Sequence, residues 1–312
     1  MEIRPYTPGM SAEWDRLVRA SRNGLFQHLR AYMDYHAHRF ADCSIIAFDD
    51  KGRAVAALPA HSDGDTVSSH RGLAFGGWLL ADRVDANMMM RIWEAAAAHY
   101  RAEGYSRLYY RPVPHIYHRY PAEEDLYALF RAGAVIESTL VSSVIDLSRP
   151  LPFDSNARRA TARALRCGLH CAESADFGAF WAILGEVLAE RFGATPVHTL
   201  TEIELLHSRF PDNIRLFMAY DGDTPVAGTV LYMSGKVAHC QYIAANSAGR
   251  DKGALPLLFD TLTEMCRAAG TTLFDLGTSN EDGGHRLNEG LIRQKAGFGA
   301  RAVAFNAYSV EL

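Results

Sequence analysis

Three side chains in the second half of the sequence have the types that proton transfer requires. His239, in KVAHCQYIAAN, can serve as a general base because an imidazole titrates near neutral pH. Asp275 ends the next strand-like segment, and Glu281 follows it in a turn-rich loop, where a carboxylate could accept a proton or position an amine. The neighbouring Cys240 could be a nucleophile, but nothing in the sequence marks its thiol as activated. We therefore take His239, Asp275 and Glu281 as the candidate catalytic residues.

Each of these residues also has a structural interpretation. A single histidine on a strand is more often a hydrogen-bonded structural residue than a base. The polar side chains of DLGTSNEDGG can make local turn bonds, or cap a helix that we expect to begin near His285. Strict alternation along the preceding strand would place His239 and Gln241 on one face, and Cys240 and Tyr242 on the other.

The elements that must position these residues occur twice in the chain. Residues 43–69 and 214–245 each have the pattern of a three-stranded meander with acidic, glycine-bearing turns. Each meander is followed by a helix, a glycine, a short strand, a second helix and a closing alternating strand. We expect an α/β fold with mixed sheets, in two similar domains at residues 1–149 and 150–312, joined at the proline-bearing SRPLPFDS.

Composition narrows the class of protein. Of the 312 residues, 48% are hydrophobic and 22% are charged, as in an ordinary folded protein. The formal charge of −4 excludes a generally basic nucleic-acid coat, so any polyanion site must be a local patch. The five cysteines fit no paired CxxC spacing, which favours free thiols in a reducing cytoplasm and predicts no metal site. No segment has the length of apolar sequence that a membrane span needs.

A basic, glycine-bearing turn precedes the helix that follows the second meander. In GRDKGALP, the residues Arg250, Gly253 and Ala254 lead into a helix N-terminus, where unpaired amides favour an anion. This R-x-x-G-A pattern after a meander resembles the pyrophosphate-binding turn of the GNAT acyltransferases, although Leu255 departs from the last small position. The duplication, with FDLGTS and GLIRQKAGFGARAV, resembles the Fem-type peptidoglycan-bridge aminoacyltransferases, whose chains pair two GNAT-like domains.

That resemblance implies roles for further residues. The backbone of Gln241, Tyr242 and Ile243 would hold the acyl arm of the donor, beside the anion turn. Lys295, in a Lys-x-Gly-Phe-Gly segment similar to that of Fem-type enzymes, would contact a phosphate or carboxylate of the substrate. The remaining substrate-binding candidates in this region are Ser279, Asn280 and Asn288.

The first half of the chain offers an acceptor site. Its loop YYRPVPHIYHRYP mixes basic and aromatic residues, which suits a nucleotide or a sugar, and it follows the strand equivalent to the one before DLGTS. The competing interpretation is a surface loop packed for structural reasons. The expected acceptor residues are His70, Arg71, Tyr110, Arg111 and His115.

A stripe of arginines opens the second domain. Arg159, Arg163 and Arg166 share one side of a predicted helix and could contact the phosphates of a nucleotide-linked acceptor or of tRNA, although such a run is usually a solvated face.

The expected protein is a cytoplasmic N-acyltransferase. It would move an acyl or aminoacyl group from an activated donor, with acyl-CoA favoured, to an amine of a cell-envelope precursor such as a nucleotide-linked amino sugar or a peptidoglycan precursor. One alternative is an enzyme that uses aminoacyl-tRNA as donor. Another is a non-catalytic module that binds a nucleotide or sugar.

Overall fold

A computed structural model describes residues 1–312, with every side chain except that of Phe192. The chain forms two compact units. Unit 1 comprises residues 1–139 and 305–312, and unit 2 comprises residues 140–304.

Unit 1 contains short strands and four helices. Its strands are β1 (Glu2–Pro5), β2 (Ala41–Asp42), β3 (Ile45–Phe48), β4 (Ala54–Leu58), β5 (His61–Asp63), β6 (Thr66–Ser68), β7 (Leu79–Leu80) and β8 (Arg107–Tyr110). Its helices are α1 (Ser11–Ala20), α2 (Arg30–Met33), α3 (Ala86–Ala102) and α4 (Glu124–Arg131). The strands pair in the orders β1-β3-β4-β7 and β8-β6-β5-β2, and the apolar face of α3 packs into the core of the unit.

The chain passes into unit 2 within strand β9 (Val135–Asp146). The helices that follow are α5 (Ser155–Arg166), α6 (Phe177–Phe192), α7 (Leu200–Arg209), α8 (Ser247–Lys252), α9 (Ala254–Ala268) and α10 (Glu289–Gly297). The strands are β10 (Leu169–Ser174), β11 (Ile214–Asp221), β12 (Thr224–Ser234), β13 (Val237–Ala245), β14 (Leu273–Thr278), β15 (Asn280–Glu281), β16 (Arg286–Leu287) and β17 (Arg301–Glu311).

The sheet of unit 2 has the order β10-β11-β12-β13-β14-β9. Its neighbours run antiparallel except for β13 and β14, which are parallel. One face packs on α9, where Leu258, Leu262 and Cys266 meet Cys240 and Phe274 in a buried cluster. The other face contacts α6. This is the mixed α/β sheet expected from the sequence.

Each half of the sequence places its closing strand in the other unit. Within unit 2, Asp146 of β9 pairs with Leu273 of β14, and within unit 1, Tyr308 of β17 pairs with Tyr110 of β8. The compact units therefore divide at residues 139/140 and 304/305. The joint of the duplication near residue 150 stays a prediction from the sequence.

The meander expected at residues 43–69 is interrupted, and that prediction is wrong in this respect. Strand β4 ends at Leu58 and pairs with β3, whereas β5 begins at His61 and pairs with β6 and β2. Pro59 stands between them and has no N–H to donate to a ladder. The second meander, β11 to β13, is continuous as expected.

Among the described residues, no helix combines the length and the apolar character that crossing a bilayer requires.

Candidate active site

Strands β13 and β14 separate partway along their length. They pair only from Val237 to His239, opposite Leu273 to Asp275. Beyond that point, the next pairing of β14 is between Thr278 and Ser142 of β9, on its other side. The C-terminal halves of β13 and β14 therefore leave a slot within the sheet.

A bulge in β13 lies at the start of this slot. Adjacent residues of β12 oppose Cys240 and Tyr242, which leaves Gln241 without a register partner. An extra residue shifts the alternation of side chains, and Cys240 packs in the cluster under α9 while the ring of Tyr242 contacts Trp181 of α6. The prediction that Cys240 and Tyr242 share a face is therefore wrong, because strict alternation does not hold across a bulge.

His239 and Asp275 form a hydrogen-bonded pair where the slot begins. The Nδ1 atom of His239 lies 3.0 Å from Oδ2 of Asp275. The other carboxylate oxygen accepts hydrogen bonds from Ser142 Oγ at 2.5 Å and from the Gly277 amide at 2.8 Å. The Asp275 side chain is fully buried, whereas that of His239 is 19% exposed. When Nδ1 carries the proton donated to Asp275, the lone pair is on Nε2, which is the state that a general base needs.

Ser142 is a site residue that the sequence did not indicate. It lies 133 residues before Asp275 and belongs to the strand that closes the first half of the sequence. Nothing in VSSVIDL distinguishes this serine from its neighbours, so only the fold identifies it.

A cavity of about 260 Å³ lies in unit 2 beside the slot. Its apolar walls come from Val187 of α6, Ile243 of β13, Leu255 and Phe259 of α9, and Leu291 of α10. Since α6 and α9 cover opposite faces of the sheet, the cavity passes through the opening between the strands. Arg250 and Lys295 are among the polar residues that line it.

Lys295 lies in the wall of this cavity, almost completely buried. Its Nζ atom donates to the carbonyl oxygens of Gly277 and Thr278, each at 2.9 Å. Burial lowers the pKa of Lys295 to about 8, and the nearby Asp275 charge acts in the opposite direction. The side chain therefore holds the end of β14 and brings to the cavity an amine whose pKa is about 8.

Glu281 has two local partners. Its carboxylate accepts a hydrogen bond from the Asn288 side chain at 2.9 Å and forms an ion pair with Arg286 at 2.6 Å. These contacts hold the short β15–β16 hairpin and match the local interpretation of this loop. A catalytic role for Glu281 stays a prediction.

The other polar residues of this loop also make structural bonds. Asn280 accepts a hydrogen bond from the Val141 amide, and Asn288 accepts one from the Leu291 amide, which caps α10. The helix therefore begins at Glu289, and the expected start near His285 is wrong because Asn288 is the cap. Ser279 is buried, and among the described side chains its hydroxyl has no hydrogen-bond partner.

The predicted anion turn joins two helices. Gly253, with φ of +86°, connects α8 to α9, and an added Cβ would lie 2.5 Å from the Ala160 carbonyl oxygen, so only glycine fits. Arg250 donates to the Ala245 carbonyl at 2.7 Å, and Ala254 begins α9. The turn thus lies at the rim of the cavity, with Arg250 tied to the end of β13.

Tyr242 is held by a loop that the sequence did not single out. Its hydroxyl lies within hydrogen-bonding distance of His198 Nδ1 and accepts from the His198 amide at 3.2 Å, while Trp181 donates to the His198 carbonyl at 3.0 Å. Burial raises the pKa of Tyr242 to about 12, so its hydroxyl stays protonated near neutral pH.

Tyr110 of unit 1 lies in the core rather than at a surface. Its hydroxyl donates to Asp125 and accepts from the Trp78 amide at 2.6 Å. Burial raises the pKa of Tyr110 and also raises the pKa of Asp125 to about 7. This placement favours a structural role over contact with an acceptor.

The other acceptor candidates differ in exposure. His70 is buried, and Arg111 donates to the Leu73 carbonyl at 2.9 Å, which holds the loop after β6. Arg71 is 52% exposed and pairs with Asp63, and His115 is exposed. Of this predicted set, Arg71 and His115 have the accessibility that an acceptor contact needs.

Among the side chains that the structure describes, no group of three or more His, Cys, Asp or Glu residues could hold a metal ion.

Comparison with known proteins finds a domain match within unit 2. Residues 153–283 match the family model of the acetyltransferase (GNAT) domain. A comparison with curated protein sequences finds no match.

Solved structures with the same fold extend over the whole chain. FemX is 14% identical with a TM-score of 0.70, over 100% of this chain and 98% of its own. The C-terminal domain of a lysylphosphatidylglycerol synthetase from Agrobacterium fabrum is 15% identical with a TM-score of 0.60, over 97% and 92%. A tandem GNAT protein from the clavulanic acid pathway is 14% identical with a TM-score of 0.56, over 99% and 98%. The chain is therefore similar in fold, over its full length, to proteins that include a tandem GNAT protein, and residues 153–283 of unit 2 match the acetyltransferase (GNAT) domain family.

Proposed function

We propose that the protein transfers an acyl group from a thioester donor to a primary amine in the slot of unit 2. The observation that carries this proposal is the His239–Asp275 pair, a partly exposed imidazole whose Nδ1 is held by a buried carboxylate at 3.0 Å. Such a pair sets the tautomer of the base and leaves Nε2 to take a proton from the attacking ammonium.

In this proposal the donor lies along the C-terminal half of β13. The acyl arm enters the cavity past Arg250 and Ala254, and the main chain of Gln241, Tyr242 and Ile243 holds it at the bulge. After β14 diverges, this stretch of β13 has no register partner on that side, which supports a main-chain role toward the thioester carbonyl.

The steps follow from this arrangement. His239 takes a proton from the ammonium, the free amine attacks the thioester carbonyl, and the amide forms as the thiolate leaves and is protonated. Asp275 is a positioning residue, because it reaches the reaction through His239 rather than by touching the substrate. Lys295 offers its ammonium group to an anionic part of a substrate in the cavity.

The proposed acceptor is an amine on a cell-envelope precursor, either a nucleotide-linked amino sugar or a peptidoglycan precursor, in the cytoplasm. The likeness in fold to FemX and to a lysylphosphatidylglycerol synthetase domain supports a second donor class, an aminoacyl ester carried on tRNA. The acetyltransferase domain match argues against the non-catalytic module.

A turnover panel tests the proposal. Acetyl-CoA, longer acyl-CoAs and aminoacyl-tRNA are each combined with a nucleotide-linked amino sugar and a lysine-containing precursor peptide, and acylated product is measured by mass spectrometry. We expect amide product from a thioester. Product from aminoacyl-tRNA alone would transfer the assignment to the second donor class, and no product from any pair would reject both.

A matched pair of variants connects any turnover to the cavity. Leu255→Trp places a large ring in the cavity wall, whereas Leu205→Trp adds the same ring at a position that is 39% exposed on α7. We expect donor turnover to fall only in the first. Equal rates in the two variants would show that the donor binds elsewhere.

A further inference from the structure

Helix α5 presents four arginines to solvent. Arg158, Arg159, Arg163 and Arg166 are exposed, while the opposite side of the helix is buried in unit 2. Among the described side chains, none of the four has an acidic partner within 4.0 Å. Because none of these charges is held in an ion pair of this kind, the helix offers its guanidinium groups to an acidic partner.

This arginine face adjoins the turn at the rim of the donor cavity. The Gly253 turn contacts α5 at Ala160, whose carbonyl oxygen would lie 2.5 Å from a Cβ on that glycine. Arg163 follows Ala160 by three residues and so lies on the same flank of the helix. A donor arm that enters past this turn would bring whatever carries the arm against α5.

The turn has few amides left for the phosphates of a free coenzyme. Gly253 donates its N–H within the turn, Pro256 has none, and the Leu257 amide donates to the Gly253 carbonyl. The amides of Ala254 and Leu255 remain. They suit a single phosphodiester better than the diphosphate and additional phosphate of coenzyme A.

We propose that α5 docks a small acidic carrier protein, which presents the acyl group as a thioester on a phosphopantetheine arm. The proposal rests on the thioester chemistry proposed above and names the carrier of that thioester. One phosphodiester joins such an arm to its protein, which matches the two amides, and an acidic surface complements the four arginines.

The composition of α5 favours a protein over a nucleic acid. The helix SNARRATARALR contains no aromatic side chain on which a base could stack. Leu165 is 59% exposed on the same helix and, with the exposed Ala162, supplies apolar area that a protein surface can bury and a phosphate backbone cannot.

Fluorescence anisotropy tests the docking surface directly. The probe is a fluorescently labelled acyl carrier protein of acidic composition, with an acetylated phosphopantetheine arm, titrated with the full-length chain. We expect Arg159→Glu with Arg163→Glu to weaken binding at least tenfold. The control, Lys236→Glu with Arg267→Glu, makes the same change in net charge away from α5 and should leave Kd within twofold. Arg267 lies at the other end of α9, about 20 Å from Gly253, and Lys236 lies in the turn between β12 and β13.

Additional variants and competitors distinguish the possible outcomes of this experiment. If a thermal melting curve shows that the charge-reversed variant does not fold, the neutral variant Arg159→Gln with Arg163→Gln is used in its place. Absence of carrier binding, or an equal Kd in reversed and control variants, overturns the proposal. Displacement of the carrier by total tRNA, with tRNA affinity lost on reversal, would assign the surface to nucleic acid instead. Carrier binding without turnover of any thioester would reject the proposed function while leaving the docking surface in place.

Discussion

The corresponding strands β8 of unit 1 and β14 of unit 2 end in opposite ways. In unit 1, Tyr110 is buried against Asp125, and the next residue, Arg111, fills the space beyond the strand with bonds to loop carbonyls. In unit 2, Asp275 turns its carboxylate to the partly exposed His239, and Gly277 follows with φ of +76° and no side chain. The same order of elements thus ends in core contacts in one unit and in an open slot in the other.

The two units also differ in the continuity of a preceding strand. In unit 2, β12 runs unbroken for 11 residues and supports the bulged β13, whereas Pro59 divides the equivalent stretch of unit 1 between two sheets. The two halves therefore share an order of elements, while individual residues decide which of them keeps a slot. On this account unit 2 carries the chemistry, and the corresponding residues of unit 1 stabilise the fold.

Asp275→Asn should produce the largest effect. An amide cannot hold the same imidazole tautomer, so we expect kcat/KM to fall by roughly 10² to 10⁴. Steady-state kinetics with the donor found in the panel measure this, and circular dichroism checks that the protein remains folded. A rate within about threefold of wild type would show that the pair is structural.

Acid should destabilise the chain through histidines that unit 1 buries. Burial lowers the pKa of His28 and His61 to about 4 and that of His70 to about 3. Because the folded pKa lies below the unfolded value of about 6.5, stability is complete above that pH and is lost as the pH falls toward 4. We expect a loss of roughly 1 to 2 kcal/mol per histidine at pH 5, measured by urea unfolding.

His70→Asn tests that assignment, since asparagine tolerates the φ of +47° at this position. The loss of stability between pH 7 and pH 5 should be smaller in the variant than in wild type. An identical loss would mean that other groups cause the acid sensitivity.

Tyr110→Phe should have a smaller effect, one that lowers the stability of the protein without changing its turnover. The change leaves Oδ2 of the buried Asp125 without its donor, while Oδ1 keeps the Leu126 amide, and it leaves the Trp78 amide without its acceptor, at a cost of roughly 1 to 3 kcal/mol. Calorimetry should record a lower melting temperature, while kcat/KM stays at the wild-type value. A loss of turnover with an unchanged melting temperature would instead return Tyr110 to the acceptor site.

The smallest effect concerns Lys295. Its amine is charged below its pKa of about 8, so the affinity for an anionic substrate group should fall as the pH rises through that value. We expect KM to increase about tenfold over this range in wild type, and Lys295→Met to raise KM at neutral pH and flatten the profile. A profile that is the same in both proteins would exclude Lys295 from substrate binding.

Much of the scaffold was predictable from the sequence, because it depends on local signals. Glycine and acidic turns mark the second meander, the 3.6-residue period marks α3 and α9, and the repeat of both reveals two similar halves. The break at Pro59 was also predictable, because a proline within a strand pattern indicates an interruption. The prediction of a continuous meander did not take this proline into account.

The site was only partly predictable, because its geometry depends on tertiary contacts. His239 and Asp275 were each named from their positions on strands, but their pairing arises from the parallel register of β13 and β14. The bulge at Gln241 is one extra residue without a sequence marker, and it reversed the expected face of Tyr242. Ser142 comes from the closing strand of the other half of the sequence, which local pattern does not connect to Asp275.

The central claim is that the imidazole of His239 removes the proton from the amine. The direct test is kcat for His239→Gln beside His170→Gln, which changes an exposed histidine on the edge strand β10 of the same unit. We predict that kcat of the first falls by roughly 10² to 10⁴, with little change in melting temperature, while kcat of the second matches wild type. A kcat of His239→Gln within about threefold of wild type, or an equal fall in both variants, would contradict the account.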